Sequence, residues 1–432
     1  MSKNWRPHFF LLISTVLLLF MSPANSQTIA DKSRYQLIAT DLPSLRGVSA
    51  TKQSSPLLLR DATARKGILY HNGKIDVLDL RGSYREMGKQ YGRLERKKLH
   101  DFYHDITLLF IVKNKVSVSS LNQIAETIFA TYPYRFKEIF YGLSETSGLT
   151  LHQLLIINAF EHYMFNDQMN GLDTTSTKCS AIAVWPPYTK NSTLLFGRNY
   201  DFVTDIDRFK KYLTITVFHP QDAGHATAIV TFVGTLNATT EINSKKLFLE
   251  LNSGGGSTQA RVYNRISTPI ELLAMLIDSD NLQQLDEELH TINTNTAFII
   301  NIANPQRAIS YEWSIATVKK VENKTPGLLV SSNHFIHPSW YRPMPESDHY
   351  LTLTRRKNLL ALAKQFKGQI DLSRMKAILD TPLQKGGATS YQAKKGMVYT
   401  AFQVIAIPES DTLWIKIPAY QNWTKLNLSS LL

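Results

Sequence analysis

Residues 174–202 read TTSTKCSAIAVWPPYTKNSTLLFGRNYDF, and Cys179 within them is the single cysteine of a 432-residue chain. A run of small polar residues leads to the thiol. A short apolar run, SAIAV, follows it, then Pro186-Pro187, then the strand-like STLLFGRNYDF. Two runs rich in apolar and aromatic residues around a proline turn predict a hairpin. The second strand then returns Arg198 beside Cys179, with Asp201 at the strand end. Taken alone, Arg198 and Asp201 also read as an ordinary surface ion pair.

The periodicity differs on the two sides of Cys179. Upstream, GKIDVLDLRG predicts a strand over 74–80 and a turn at Gly82-Ser83. Met87, Tyr91 and Leu94 then recur at helical spacing. Gly88 and Gly92 share that helix. Glycine weakens helices, so two of them predict the close approach of another backbone. Further helices are expected at 118–131, 134–147 and 150–165. Downstream, SAIAVWP, YLTITVFHP, HATAIVTFVGT, KKLFLELNSGGG, TAFIINIAN, RAISYEWSI and GLLVSSNHF are short β-rich runs separated by Pro, Gly and Asn. They predict an antiparallel meander. TPIELLAMLIDS interrupts it as a helix, as does LTRRKNLLALAKQF followed by DLSRMKAILD. A last pair of strands surrounds the turn at 408–411. Helices followed by many strands with inserted helices make an α+β layered domain. The expected organisation is a signal peptide at 1–26, a helical N-terminal chain at 27–178 and a strand-rich chain at 179–432.

The first residues support export. Lys3 and Arg6 precede an apolar run from Phe9 to Met21, and Pro23-Ala24-Asn25-Ser26 offers small residues for cleavage after Ser26. The run is shorter than the ~20 residues of a membrane span, although an uncleaved anchor is the alternative. The expectation is a periplasmic or secreted protein with no stable membrane insertion after signal removal. Exported chains commonly pair their cysteines, which this chain cannot do internally. Cys179 is therefore either deeply buried or chemically employed. The net charge of +13 is spread along the chain. Nucleic-acid signatures are absent. His334 and His337 lack a nearby third ligand, so neither a metal nor a cofactor is expected.

If the chain is cut between Lys178 and Cys179, Cys179 gains a free α-amino group with an ordinary pKa of roughly 7.7–8.0. That amine sits beside its own thiol and can serve as the base. Such a site needs no histidine. It needs a cation to favour thiolate, a carboxylate to orient the amine and donors for the oxyanion. Arg198 and Asp201 are the candidates for the first two roles.

Cys179, a hydrophobic strand, a turn and LFGRNYDF together resemble the N-terminal nucleophile hydrolases of the choloylglycine hydrolase type. The likeness is closer to the peptidase C45 group that includes acyl-coenzyme A:6-aminopenicillanic acid acyltransferase. LRGSYREMGKQYG (80–92) resembles the Gly-x5-Gly-x3-Gly segment of that group's pro-region, and GLSETSGLTLHQLLIINAFE (142–161) its segment before the nucleophile. The resemblance implies a four-layer αββα sandwich, self-cleavage before Cys179 into chains that stay associated, and thiol attack on the amide or thioester carbonyl of a small-molecule N-acyl or acyl substrate. It implies Cys179 as nucleophile, with Arg198 beside the thiol and Asp201 near the new amine. EINSKKLFLELNSGG (241–255) places Asn252 as an oxyanion donor, and LLVSSNHF places Asn333 as a second amide. Thr352-Arg355-Leu359 fits a late Thr-x2-Arg-x3-Leu pattern, with Arg356 the alternative arginine. Two departures stand out: Lys178 replaces the glycine often found before the cysteine, and the glycine of an Asn-Glu-x-Gly turn is missing after Asn243.

Hydrolysis of an amide is the preferred expectation, since water is abundant outside the cytoplasm and acyl-coenzyme A is not. The alternatives are acyl transfer at the same site, a phospholipase-like acyl hydrolase and a non-catalytic exported binding protein. A papain-like peptidase would need one of His219, His225, His290 or His334 at the thiol.

Overall fold

The computed structural model describes residues 67–164, 179–202, 204–254, 265–321, 325–340, 348, 351–391 and 399–432. The expected signal peptide, nearly all of the arm after it, and Lys178 lie outside the described residues.

Two strands open the described chain, β1 (Ile68–Asn72) and β2 (Ile75–Gly82). Ser83 then caps α1 (Tyr84–Leu94): its side chain accepts from the Glu86 backbone N–H, while the Glu86 carboxylate accepts from the Ser83 N–H. The helical run continues through α2 (Arg96–Thr107), α3 (Val118–Ala130), α4 (Tyr134–Thr146), α5 (Leu151–Asn158) and α6 (Phe160–Met164). The paired glycines do what their spacing predicts. A Cβ on Gly88 would lie 2.1 Å from the Ile139 carbonyl oxygen, and one on Gly142 would lie 2.1 Å from that of Arg85. Backbone contact between α1 and α4 therefore depends on hydrogen-sized side chains.

After Cys179 come β3 (Ser180–Val184), β4 (Leu195–Phe202), β5 (Leu213–Pro220), β6 (Thr227–Phe232), β7 (Thr240–Asn243) and β8 (Phe248–Ser253). Helices α7 (Thr268–Asp278) and α8 (Leu282–Leu289) precede β9 (Ala297–Ala303), β10 (Ala308–Ser314), β11 (Thr317–Val321) and β12 (Leu328–Ser331). Helices α9 (Thr352–Gln365) and α10 (Leu372–Asp380) lead to β13 (Tyr399–Ile407), β14 (Thr412–Ile417) and β15 (Gln421–Asn427). One sheet has nine strands in the order β1-β2-β5-β6-β7-β8-β9-β10-β11; the other has six, β12-β3-β4-β13-β14-β15. All pairings between these strands are antiparallel except β2 with β5. Through that parallel pair the segment before Cys179 extends the large sheet, a junction that a downstream meander does not anticipate.

The period-2 alternation of side chains sorts the layers. In β3, Ile182 and Val184 pack with Leu359, Met375 and Leu379 of α9 and α10. Ala181 and Ala183 face the opposite way, into the cluster that holds Phe248 and Val404. On the large sheet, Leu249, Leu251, Ile300 and Trp313 pack with Leu272, Leu276 and Leu285 of α7 and α8. The order is helices, large sheet, small sheet, helices: the αββα arrangement expected. Phe196 and Phe248, with ring centroids 4.8 Å apart, join the sheets across the middle.

Short β7 and the edge strands β11 and β15 were not legible as strands in the sequence. β15 is only partly buried, so its residues carry little apolar alternation. Lys246 adopts φ +62° in the β7–β8 turn, the left-handed conformation for which glycine is the usual choice. The turn whose glycine is missing thus keeps a glycine-like backbone with a lysine in place.

Candidate active site

β3 and β4 form the hairpin read from the sequence, with Ser180 opposite Asn199 and Ala181 opposite Arg198. Every residue of β4 is buried, because both of its faces are covered. Alternation sends Arg198 and Tyr200 inward toward the large sheet and Asn199 and Asp201 outward toward α9 and α10. Cys179 stands just before β3 and meets both sides.

On the inward side, Arg198 Nη2 lies 3.5 Å from Cys179 Sγ and donates to the Leu251 carbonyl at 2.7 Å. Its Nη1 donates to the Thr239 carbonyl and the Thr240 hydroxyl. Nε is 3.3 Å from Glu250 Oε2, a charge contact outside hydrogen-bond geometry. The Tyr200 ring lies beneath the guanidinium, 5.3 Å from centroid to Cζ. The whole assembly is buried. Burial pushes the Cys179 thiol upward in pKa and outweighs the pull of Arg198 in the opposite direction. Burial likewise raises Glu250 to about 7, against Arg198 and the donors Asn301 and Asn252.

On the outward side, Arg355 Nη1 donates to the Cys179 carbonyl at 2.8 Å and lies 3.4 Å from Asp201 Oδ2. Its Nη2 donates to Asn333 Oδ1 at 2.7 Å. Thr400 donates to Asp201 Oδ1 at 2.7 Å. Thr352, Arg355, Leu359 and Ala363 form the buried stripe of α9, which explains the spacing of the late motif. Thr352 Oγ1 accepts from the Asn333 N–H at 2.9 Å, so one helix positions both the arginine and the amide. Arg356 points elsewhere and donates to the Val330 carbonyl at 3.2 Å. That contact separates the two arginines the sequence left as alternatives.

The amides differ in how they are engaged. Asn333 Nδ2 donates to the Ser253 carbonyl at 2.7 Å. Asn252 Nδ2 contacts Glu250 Oε1 at 2.9 Å and Ser331 Oγ at 3.3 Å. Asn252 therefore joins the site through Glu250 and Arg198. Cys179, Arg198, Asp201, Asn333 and Arg355 are linked through direct contacts.

Two residues of this network are not read from the sequence as partners of the thiol. Glu250 is a carboxylate inside an apolar strand, and FLELNS offers alternation but no partner. Glu161 lies in α6 and accepts from the Tyr200 hydroxyl. No histidine is among the described contacts of Cys179. His219 pairs with Asp79, His225 with Asp280 and His290 with Asp286. His334 is bonded to Thr352 and is pushed down to about 4 by burial and by two neighbouring arginines. Among the described residues no group of three or more metal-ligating side chains occurs, and no helix is long and apolar enough to cross a membrane.

No protein-family model and no curated protein matches the chain. Solved structures with a related arrangement include a penicillin V acylase from Agrobacterium tumefaciens, at TM-score 0.43 and 11% identity over 58% of this chain and 86% of that one. A mutant conjugated bile acid hydrolase from Clostridium perfringens gives TM-score 0.43 and 13% identity over 58% and 93%. The Caenorhabditis elegans ortholog of N-acylethanolamine-hydrolyzing acid amidase gives 0.40 and 14% over 58% and 100%.

Proposed function

We propose that the protein is an exported, self-processing cysteine hydrolase that cleaves the amide bond of a small N-acyl substrate. The observation that carries this reading is the placement of the chain's one thiol, 3.5 Å from a buried arginine, with its carbonyl gripped by a second buried arginine. A merely structural cysteine needs neither.

In the proposed maturation, Cys179 Sγ attacks the Lys178 carbonyl carbon. The S–C bond forms, the C–N bond breaks and the Cys179 nitrogen takes a proton. Water then hydrolyses the thioester, leaving a carboxylate on Lys178 and a free amine on Cys179. Arg355 holds the Cys179 carbonyl throughout, and Asp201 supplies the negative charge that orients the amine. In the catalytic cycle the thiolate, stabilised by Arg198, attacks the substrate carbonyl. In this reading the side-chain amides of Asn333 and Asn252 are the donors to the oxyanion. Removing one preorganised donor of this kind costs about 10²–10³ in turnover. The Cys179 amine protonates the departing amine, and water releases the acyl group from sulfur.

The test is the intact mass of the purified protein beside Cys179→Ala under denaturing conditions. The expected result is two fragments divided between Lys178 and Cys179, with the variant uncut. A single chain in both after prolonged incubation overturns self-processing.

A further inference from the structure

The catalytic arginine of this reading has a support that comes from the other side of the cleavage position. The Arg198 guanidinium is enclosed by the Thr239 and Leu251 carbonyls, the Thr240 hydroxyl and Glu250, and its remaining flat face rests on Tyr200. Tyr200 is itself stacked on Phe402 at 4.5 Å and 11° and on Phe202 at 5.7 Å and 20°. The stack sets the plane of the ring. It leaves sliding within that plane to be opposed by the hydroxyl, whose partner is Glu161 Oε1. Glu161 is buried, and its neighbour Phe160 packs against Phe102, Phe209 and Phe232 at 5.1, 4.7 and 5.4 Å. The helix that carries Glu161 is therefore anchored by an aromatic cluster.

We propose that Glu161 is a positioning residue of the active site: it tethers the Tyr200 hydroxyl, and the Tyr200 ring in turn holds Arg198 against the Cys179 thiol. The inference rests on the nucleophile reading of Cys179. Its consequence is that the segment before the cleavage position completes the enzyme and is not a disposable propeptide. Losing the tether strands a buried hydroxyl and loosens the cation that stabilises the thiolate. The acidity of the thiol therefore reads the tether directly.

Because Cys179 is the only cysteine, its ultraviolet thiolate absorbance can be titrated in the full protein, with Cys179→Ala as the blank. Glu161→Ala and Tyr200→Phe are each expected to lower the acid dissociation constant of the thiol about tenfold, the effect of one lost hydrogen bond. Glu161→Gln retains an acceptor and is expected to remain within about twofold of wild type on the same ground. Wild-type titrations in both Glu161→Ala and Tyr200→Phe, each folded by circular dichroism, overturn the proposal. So does a Glu161→Gln as impaired as Glu161→Ala, because charge and not tethering would then be at work. If Glu161→Ala does not fold, Tyr200→Phe decides alone. Failure of the underlying reading has a different signature, namely a wild-type chain that stays uncut between Lys178 and Cys179 in its intact mass.

Discussion

Two buried arginines grip Cys179 from opposite faces of one strand pair, and their surroundings differ. Arg198 faces the large sheet and lies beside Glu250 and the thiol. Burial alone would lower its pKa, but these two anions outweigh that and raise it. Arg355 faces the outer helices. Burial outweighs the pull of Asp201 and lowers its pKa. The charge of the inner arginine thus lies between the Cys179 thiol and the Glu250 carboxyl group. The outer one is a clamp made of hydrogen bonds to the Cys179 carbonyl and Asn333. The same residue type serves charge stabilisation on one face and geometry on the other.

This contrast can be broken most forcefully at the thiol. Cys179→Ala should abolish both chain cleavage and hydrolysis, read by mass and by release of the acyl acid. Arg198→Ala should reduce turnover by about 10²–10³. Arg198→Lys should recover only part of it, since a lysine cannot reproduce the fork whose Nη1 reaches Thr239 and Thr240 while its Nη2 reaches Leu251 and the thiol. Arg355→Ala should act first on folding, because it leaves Asp201 buried beside an unpaired carbonyl. A loss of about 3–5 kcal/mol is expected in denaturant titration. Equal effects of the two arginine variants on both stability and turnover would erase the distinction.

Smaller effects sharpen it. As pH rises through about 7, Glu250 ionises and neutralises the charge that Arg198 turns toward sulfur. The pH profile of kcat/KM should carry a falling limb there, and Glu250→Gln should remove it. Stability should follow the same group with a defined sign. Glu250 and Glu161 titrate near 7 in the folded protein and near the ordinary carboxylate value when unfolded. Through these two groups the folded state holds more protons between about pH 4.5 and 7, so their contribution to stability falls as pH rises through that window and is constant above it. Glu250→Gln should flatten part of that slope in thermal melts. An unchanged slope would mean that Glu250 is ionised throughout.

Cys179, Arg198 and Asp201 were legible because a two-strand hairpin brings residues close in sequence into contact, and alternation fixes which face each one takes. The glycines at 88 and 92 were legible because a missing side chain in a helix has a steric meaning on its own. The late arginine was legible only as a pair of neighbours, since a helix turns by about 100° per residue and the packed face of α9 decides between them. Glu161, Tyr200 and Glu250 were not legible as partners of the thiol. Their link to it crosses two layers and depends on how α6 and β8 are seated against β4.

The sequence by itself determined the helical half, the strand-rich half, the lone thiol at their junction and the arginine and aspartate of the next strand. These follow from local periodicity and from turn chemistry. The tertiary structure alone decided that β2 runs parallel beside β5, that Asn252 engages Glu250 and that Glu161 supports Arg198 through Tyr200. Those are contacts between segments far apart in the chain, set by the packing of layers, and no local pattern encodes them.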